Sequence, residues 1–340
     1  ASTGAYTVEG DFDHLALGET ATVTFDYVAT DDSTAGNAQS DSKTVTLVVT
    51  GTNDKPTITN YAVTVAEDSL GGSISFANVN MSDLDTTDIV TFVAFTNVAT
   101  TVTDTNTVGI GAITVSMDTA GAYTLAGAGI EKLGTGESAT VTFDVQVVDN
   151  SGDGTTNTSE AKTITLTIDG SNDKPSVTNV TVAAVAEAAG ETIGVQLIHT
   201  GDLDVADIDA NDAHVFTVST PIAYTVANAA EADITSAVAI TGLSVTITDA
   251  ATGAYTVEGD FDHLALGETA TVTFDYVATD DSANAANNAS DPKTVTLTVT
   301  GTNDAPILAV TDLDANEDGA SVSGTPTFTD ADTTDTHSYI

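Results

Sequence analysis

The chain has 340 residues, with 50 acidic side chains against 6 basic ones and a formal net charge of −44. That balance excludes nucleic-acid binding, because almost nothing here displaces counterions from phosphate, and it opposes docking on anionic membranes. Cysteine is absent, which removes disulfides and thiol chemistry, and no apolar run approaches the ~20 residues needed to span a bilayer.

Strong net charge is a signature of disorder. Against it, 41% of the residues are apolar, and they alternate in order. In residues 21–30, Val23, Phe25, Tyr27 and Ala29 face one way, with Thr22, Thr24 and Asp26 opposite. Lys43 to Thr50 repeats the pattern with Val45, Leu47 and Val49 inward and threonines outward. Further along, Val141, Phe143, Val145 and Val147, then Ile164, Leu166 and Ile168, keep the period of two. One apolar face per short strand predicts an all-β fold, a sandwich of two antiparallel sheets. The Ala-rich stretch 226–238 has room for a turn or two of helix and is read as a loop insertion.

Residues 3–33 recur letter for letter as residues 252–282, and a diverged copy lies between them at 121–144. Such identity marks duplicated modules rather than one enzyme domain. Each copy closes on one phrase: Gly51-Thr-Asn-Asp-Lys-Pro56, Gly170-Ser-Asn-Asp-Lys-Pro175 and Gly301-Thr-Asn-Asp-Ala-Pro306. Proline there ends a strand and stiffens the crossing. Complete modules are therefore expected at 55–173 and 174–304, the second with a longer insertion. Residues 1–54 are expected to be the back of one module and 305–340 the front of another, as in an excerpt of a longer chain.

The acids are clustered. Asp83-Leu-Asp85-Thr-Thr-Asp88 has counterparts in Asp330-Ala-Asp332-Thr-Thr-Asp335 and, by spacing, in Asp202-Leu-Asp204-Val-Ala-Asp207. Alternating aspartates in a loop aim oxygens at one centre and a third closes round it, which suits a hard cation with 6–8 oxygen ligands. Glu67, Glu187 and Glu317 recur after each phrase. Asp31-Asp32, Asp149 and Asp280-Asp281 end equivalent strands. With Asn53-Asp54, Asn172-Asp173 and Asn303-Asp304 they form an acidic set at module ends. Crowded carboxylates without a counter-ion are costly. Ca²⁺ is the natural counter-charge outside the cell, and magnesium suits a roomy loop less well.

The phrases Leu-Gly-Glu-x-Ala-Thr-Val-Thr-Phe-Asp and Thr-Val-Thr-Leu-x-Val-Thr-Gly-Thr-Asn-Asp-x-Pro, with the Asp-x-Asp loop, resemble the VCBS-type, cadherin-like repeats of giant bacterial RTX-type adhesins. The resemblance spans essentially the whole chain. It implies tandem Ig-like or cadherin-like antiparallel β-sandwich modules in a linear array. It also implies calcium at the junctions, secretion to the cell surface, and work in adhesion and biofilm formation. The cadherin template then implies one junction from Glu67, Asn172, Asp173, Asp202, Asp204 and Asp280, and another from Glu187, Asn303, Asp304, Asp330 and Asp332. The first junction would use Asn53, Asp54, Asp83, Asp85 and Asp149, with Asp88 closing the loop. The chain departs from that template in having Gly51, Gly170 or Gly301 where cadherins place an acid.

Several functions compete. The leading one is a calcium-stiffened extender whose partners are calcium ions and neighbouring repeats, without membrane insertion. The alternative is a subunit of a self-assembling filament or surface layer, in which other copies of the chain fill the incomplete ends. A sugar-binding module is disfavoured, since 221–238 offers one aromatic, Tyr224. No enzyme is expected. His14 and His263, in Asp-Phe-Asp-His, read as surface-turn residues, because the middle copy has Ala-Gly-Ile-Glu-Lys instead. His199, His214 and His337 stand alone, and no nucleophile motif or phosphate loop is present.

Overall fold

A computed structural model describes residues 3–69, 74–75, 79–99, 101–105, 108–127, 129–188, 194–283 and 286–340. The chain divides into two compact units, 1–171 and 172–340. Among the described residues it is all-β, built of tandem sandwich modules with only single turns of 3₁₀-helix.

The first unit opens with an antiparallel hairpin of Thr20–Tyr27 and Lys43–Thr50, which sets Val23 opposite Leu47 and Phe25 opposite Val45. A two-layer sandwich follows. One sheet runs in the order Tyr61–Ala66, Lys162–Asp169, Ser138–Val145, Thr101–Asp104. The other runs Ile74–Ser75, Ala122–Ala126, Thr114–Met117, Phe95–Ala99. Along Ser138–Val145 burial alternates residue by residue: Ala139, Val141, Phe143 and Val145 point inward, with Thr140 and Thr142 on the outer face. They meet Val115, Met117 and Tyr123 of the facing sheet in one core, with Ile164, Leu166 and Ile168 alongside.

The second unit repeats the plan. Its larger sheet pairs Lys293–Thr300 with Thr269–Asp280, the latter flanked by His214–Val218 and Ala223–Ala227. Its smaller sheet is Gln196–Gly201, Ala254–Asp260, Thr241–Asp249. Phe216, Tyr255, Val257, Phe274, Tyr276 and Leu297 fill the space between them. A last pair, Ile307–Ala309 with Thr327–Thr329, follows the third Asn-Asp phrase. The Ala-rich stretch forms no helix. Val226 lies near the end of a strand, Asn228 Oδ1 accepts the amides of Ala230 and Ala232, and Val238 drops into the core.

The sandwiches are antiparallel except where each begins. Tyr61–Ala66 runs parallel to the closing strand Lys162–Asp169, and Val180–Thr181 and Val185–Ala186 run parallel to Lys293–Thr300. A parallel pair needs a crossover, here the whole module. It makes the chain enter a module at one end and leave at the other, which is what serial repetition requires.

The glycine opening each closing phrase has a steric reason. A Cβ on Gly301 would lie 2.3 Å from Ala265 O and 2.4 Å from Leu264 O, and Gly51 and Gly170 meet the matching carbonyls of Leu15, Ala16, Leu133 and Gly134 as closely. Each glycine amide also donates to the glutamate carbonyl of that turn, at 2.8 Å for Gly51 and 2.9 Å for Gly170 and Gly301. No larger residue fits, which explains the departure from an acidic linker. Gly301→Ala should cost about 1–3 kcal/mol, the usual range for overpacking. A urea midpoint unchanged from the parent protein would show that the turn yields freely.

Candidate metal centre

In the first unit the polypeptide leaves the Lys43–Thr50 strand at Gly51, so Asn53-Asp54 sit at its end. Asn53 Nδ2 donates to Asp54 O at 2.7 Å, to Asp149 Oδ2 at 3.2 Å and to Thr156 O at 3.2 Å. The Asp54 amide donates to Asp85 Oδ2 at 2.7 Å, and the Asp85 amide to Asp83 Oδ1 at 3.1 Å. Asp149 is fixed by the amide and hydroxyl of Ser151, both on Oδ1. These bonds leave one set of oxygens facing inward. Carboxylate atoms of Asp83, Asp88 and Asp149 lie within 4.8 Å of one another. Among the described residues, Asn53 Oδ1, Asp83 Oδ2, Asp85 Oδ1 and Asp88 Oδ2 are buried without a hydrogen-bond partner.

The second unit builds the same network. Asn172 Nδ2 donates to Asp173 O at 2.8 Å and Asp280 Oδ2 at 3.1 Å, and the Asp173 amide donates to Asp209 Oδ2 at 2.8 Å. Asp207, Asp212 and Asp280 gather within 4.8 Å. Asn172 Oδ1, Asp209 Oδ1 and Asp212 Oδ2 are buried without a partner among the described residues. One difference is His214, whose Nε2 lies 2.8 Å from Asp207 Oδ2.

The loop here is therefore 207–212. Asp202 and Asp204 lie exposed and, among the described residues, join none of the acidic clusters. The spacing Asp-x-Asp-x-x-Asp occurs twice in overlap, at 202–207 and 207–212, and spacing cannot choose between them. Packing chooses. Leu203 is buried, which turns its two neighbours outward, and the bridge between Ser176 and Ala206 makes Asp207 the first loop residue. The same bridge position in the first unit is Thr57 with Ser82, immediately before Asp83.

At the third phrase Asn303 Nδ2 donates to Asp304 O at 2.8 Å and the Asp304 amide donates to Asp332 Oδ2 at 2.9 Å. The Asp332 amide donates in turn to Asp330 Oδ1, and His337 Nε2 pairs with Asp330. Glu187 is buried against this phrase, its Oε1 accepting the Thr302 amide at 2.6 Å. Glu67 makes the equivalent bond to the Ser171 amide, also at 2.6 Å. Burial first, and then the charges of Asp304, Asp262 and Asp332, push the Glu187 carboxyl up to about 8. Asp209 is pushed up to about 7 and Asp212 to about 6, again by burial ahead of neighbouring carboxylates. Asp54, Asp83, Asp88 and Asp332 shift the same way for the same first cause.

Two ligand candidates are hidden in the Asp-Phe-Asp-His phrase. Asp260 and Asp262 are buried beside Glu187 and Asp304, and Asp260 Oδ1 and Asp262 Oδ2 have no hydrogen-bond partner among the described residues. Asp13, the earlier copy of Asp262, adds to the charge that raises Asp54. The sequence does carry a signal for them. The diverged copy keeps an apolar residue followed by an acid, Ile130-Glu131 for Phe261-Asp262, and Ile130 and Phe261 are both buried.

Carboxylates, carboxamides and main-chain carbonyls are hard oxygen donors, the set that fits a divalent cation of 6–8 ligands. Buried oxygens aimed at one point without a proton donor are what such an ion satisfies.

No family model and no curated protein matches the chain. Among solved structures it is similar to mouse clustered PcdhgC3 EC1-3, at 15% identity over 86% of this chain and 80% of that one, with a TM-score of 0.37. Mouse Protocadherin-24 EC1-3 follows at 14% identity, 86% and 81% coverage and 0.36. Human CDH23 EC21-23 stands at 16% identity, 82% and 81% coverage and 0.39. Likeness at these scores decides neither family nor function. Among the described residues no helix is long and apolar enough to cross a membrane.

Raised carboxyl pKa values give the metal-free protein a pH dependence. Between the ordinary 4.5 and about 8 for Glu187, and between 3.8 and about 7 for Asp209, the folded chain holds protons that the unfolded chain has released. This contribution to stability is full below the lower values and is lost as pH rises through the upper ones. Calorimetry on metal-stripped protein should therefore show the melting temperature falling from about pH 5 to about pH 8. A flat or rising profile would contradict the buried, crowded state of these acids.

Proposed function

We propose that the repeated Asn-Asp phrases and the loops that follow them hold calcium ions, and that the chain is a segment of an extracellular extender in a bacterial surface adhesin. The observation that carries this is the twofold recurrence of one network, Asn53/Asp85/Asp149 and Asn172/Asp209/Asp280, each leaving partnerless buried oxygens round a common point. Asp83, Asp85, Asp88, Asp149 and Asn53 would hold the ion in the first unit. Asp207, Asp209, Asp212, Asp280 and Asn172 would do so in the second. A further ion would take Glu187, Asp260, Asp262, Asp304 and Asp332.

A divalent charge offsets repulsion in a chain of net −44. It also ties the Asn-Asp phrase to the loop of the module it introduces, which restrains the crossing. On this view the modules are 55–173 and 174–304, each opening just after an Asn-Asp phrase. The hydrogen-bonded sheets support that division, since each lies within one of the spans 1–54, 55–173, 174–304 and 305–340. Localisation outside the cell, adhesion and biofilm formation follow from the calcium reading and the sequence resemblance together.

Extracellular modules bind calcium at about 10⁻⁴–10⁻³ M, and a site held at a hundred times its Kd gains about 2.7 kcal/mol. Calcium should raise the melting temperature of the full chain, and excess EDTA should reverse the gain. Asp209→Asn should lower the gain while Asp202→Asn leaves it intact. Equal effects of the two substitutions, or no response to calcium at all, would sink the assignment.

A further inference from the structure

The loops that carry the aspartates also carry two threonines, Thr86-Thr87 and Thr333-Thr334, which the metal sites do not use. Their hydroxyls point back at the preceding module. Thr334 Oγ1 donates to Glu268 Oε1 at 2.6 Å, and Thr87 Oγ1 donates to Glu19 Oε1 at 3.0 Å. These glutamates are the same residue of the two identical repeats, and each is held in one pose. The second oxygen, Oε2, accepts the amide of Ala265 or Ala16, at 3.1 Å in both. The main-chain carbonyl of each accepts the glycine amide of the closing phrase, Gly301 or Gly51. One residue thus fixes its own turn, the exit of its module and the loop of the next.

Neighbouring contacts run in the same direction. Thr333 Oγ1 donates to His263 O at 3.3 Å, and the His263 ring, through Nδ1, donates to Ala331 O at 3.2 Å. Glu268 is buried, and both of its carboxylate oxygens are satisfied by protein donors. This separates it from the aspartates across the loop, whose partnerless oxygens call for a cation. Hydrogen bonds to a charged acceptor are the stronger kind, and these need no ion.

We propose that Glu19 with Thr87, and Glu268 with Thr334, form a metal-independent latch that holds these two Leu-Gly-Glu turns against the loops that follow them. The surface that the Leu-Gly-Glu turn presents is a docking face for a hydroxyl-bearing Asp-x-Asp-Thr-Thr loop of the same chain. Cation loss then loosens the junction without releasing it.

The absence of cysteine allows two unique spin labels, at Thr246→Cys and Ser323→Cys, both exposed positions on either side of the third phrase. Distances are read by pulsed electron resonance on the full chain in excess EDTA, so the comparison stands whatever calcium does. The unmutated background should give one dominant separation. Thr334→Val keeps shape but removes the hydroxyl, and should raise the ratio of open to closed conformers about tenfold, the effect of one hydrogen bond to a charged group. Thr334→Ser should restore the dominant separation. Thr334 is exposed, so the fold itself is not at risk. Identical metal-free distributions for Thr334→Val and its background would overturn the latch, as would a Thr334→Ser variant that opens as far as Thr334→Val.

Discussion

Negative charge brought out of water is the constraint on which the rest of this structure depends. Asp85, Asp149, Glu187, Asp209, Asp280 and Asp332 are buried, in a chain with only 6 basic side chains to set against 50 acids. Among the described residues, the ion pairs of Lys55 with Glu160 and Lys174 with Asp291 are exposed and add little. Backbone amides satisfy one oxygen of several acids and thereby aim the other, so the fold itself creates the demand for a cation. Proton uptake relieves that crowding in acid, and a bound divalent cation would relieve it at neutral pH.

Main-chain geometry makes the demand repeatable. A closing strand ends at a glycine packed too closely for a Cβ to enter without strain, and this delivers Asn-Asp to the same place each time. The asparagine then reaches the strand-end aspartate, and the aspartate amide reaches the middle acid of the loop. Because the first strand of a module lies parallel to the last, the acids of one phrase and the acids of the Leu-Gly-Glu side fall at opposite ends of each sandwich. The exit end carries both the glutamate–threonine contacts and the acids Glu187, Asp262 and Asp304, and the entry end carries the Asn-Asp and loop acids.

Much of this can be read from the residues alone. Period-two alternation locates the long strands: Val141, Phe143, Ile164, Leu166 and Ile168 are all in the core where the alternation puts them. The closing phrase marks where one sheet system stops and the next begins. Two things are harder to read, for different physical reasons. Overlapping Asp-x-Asp runs make Asp202 and Asp204 indistinguishable from Asp207 and Asp209 by spacing, and the fold separates them by burying Leu203 and bonding the Asp173 amide to Asp209. Asp260 and Asp262 carry only the faint signal of an apolar–acid pair kept as Ile130-Glu131, because the burial that sets them apart arises only in the folded module. The identical repeats show how far local sequence reaches: Thr20–Tyr27 pairs with Lys43–Thr50 in the same register in which Thr269–Tyr276 pairs with Lys293–Thr300.

Calcium's presence at the convergent oxygens is the point on which everything functional turns, and anomalous diffraction from crystals grown in millimolar calcium tests it directly. Ions are expected beside Asp83, Asp88 and Asp149 and beside Asp207, Asp212 and Asp280, each with roughly 6–8 oxygens at about 2.3–2.6 Å. Empty density at both positions, with the carboxylates unchanged in place, would contradict calcium binding and with it the extender role.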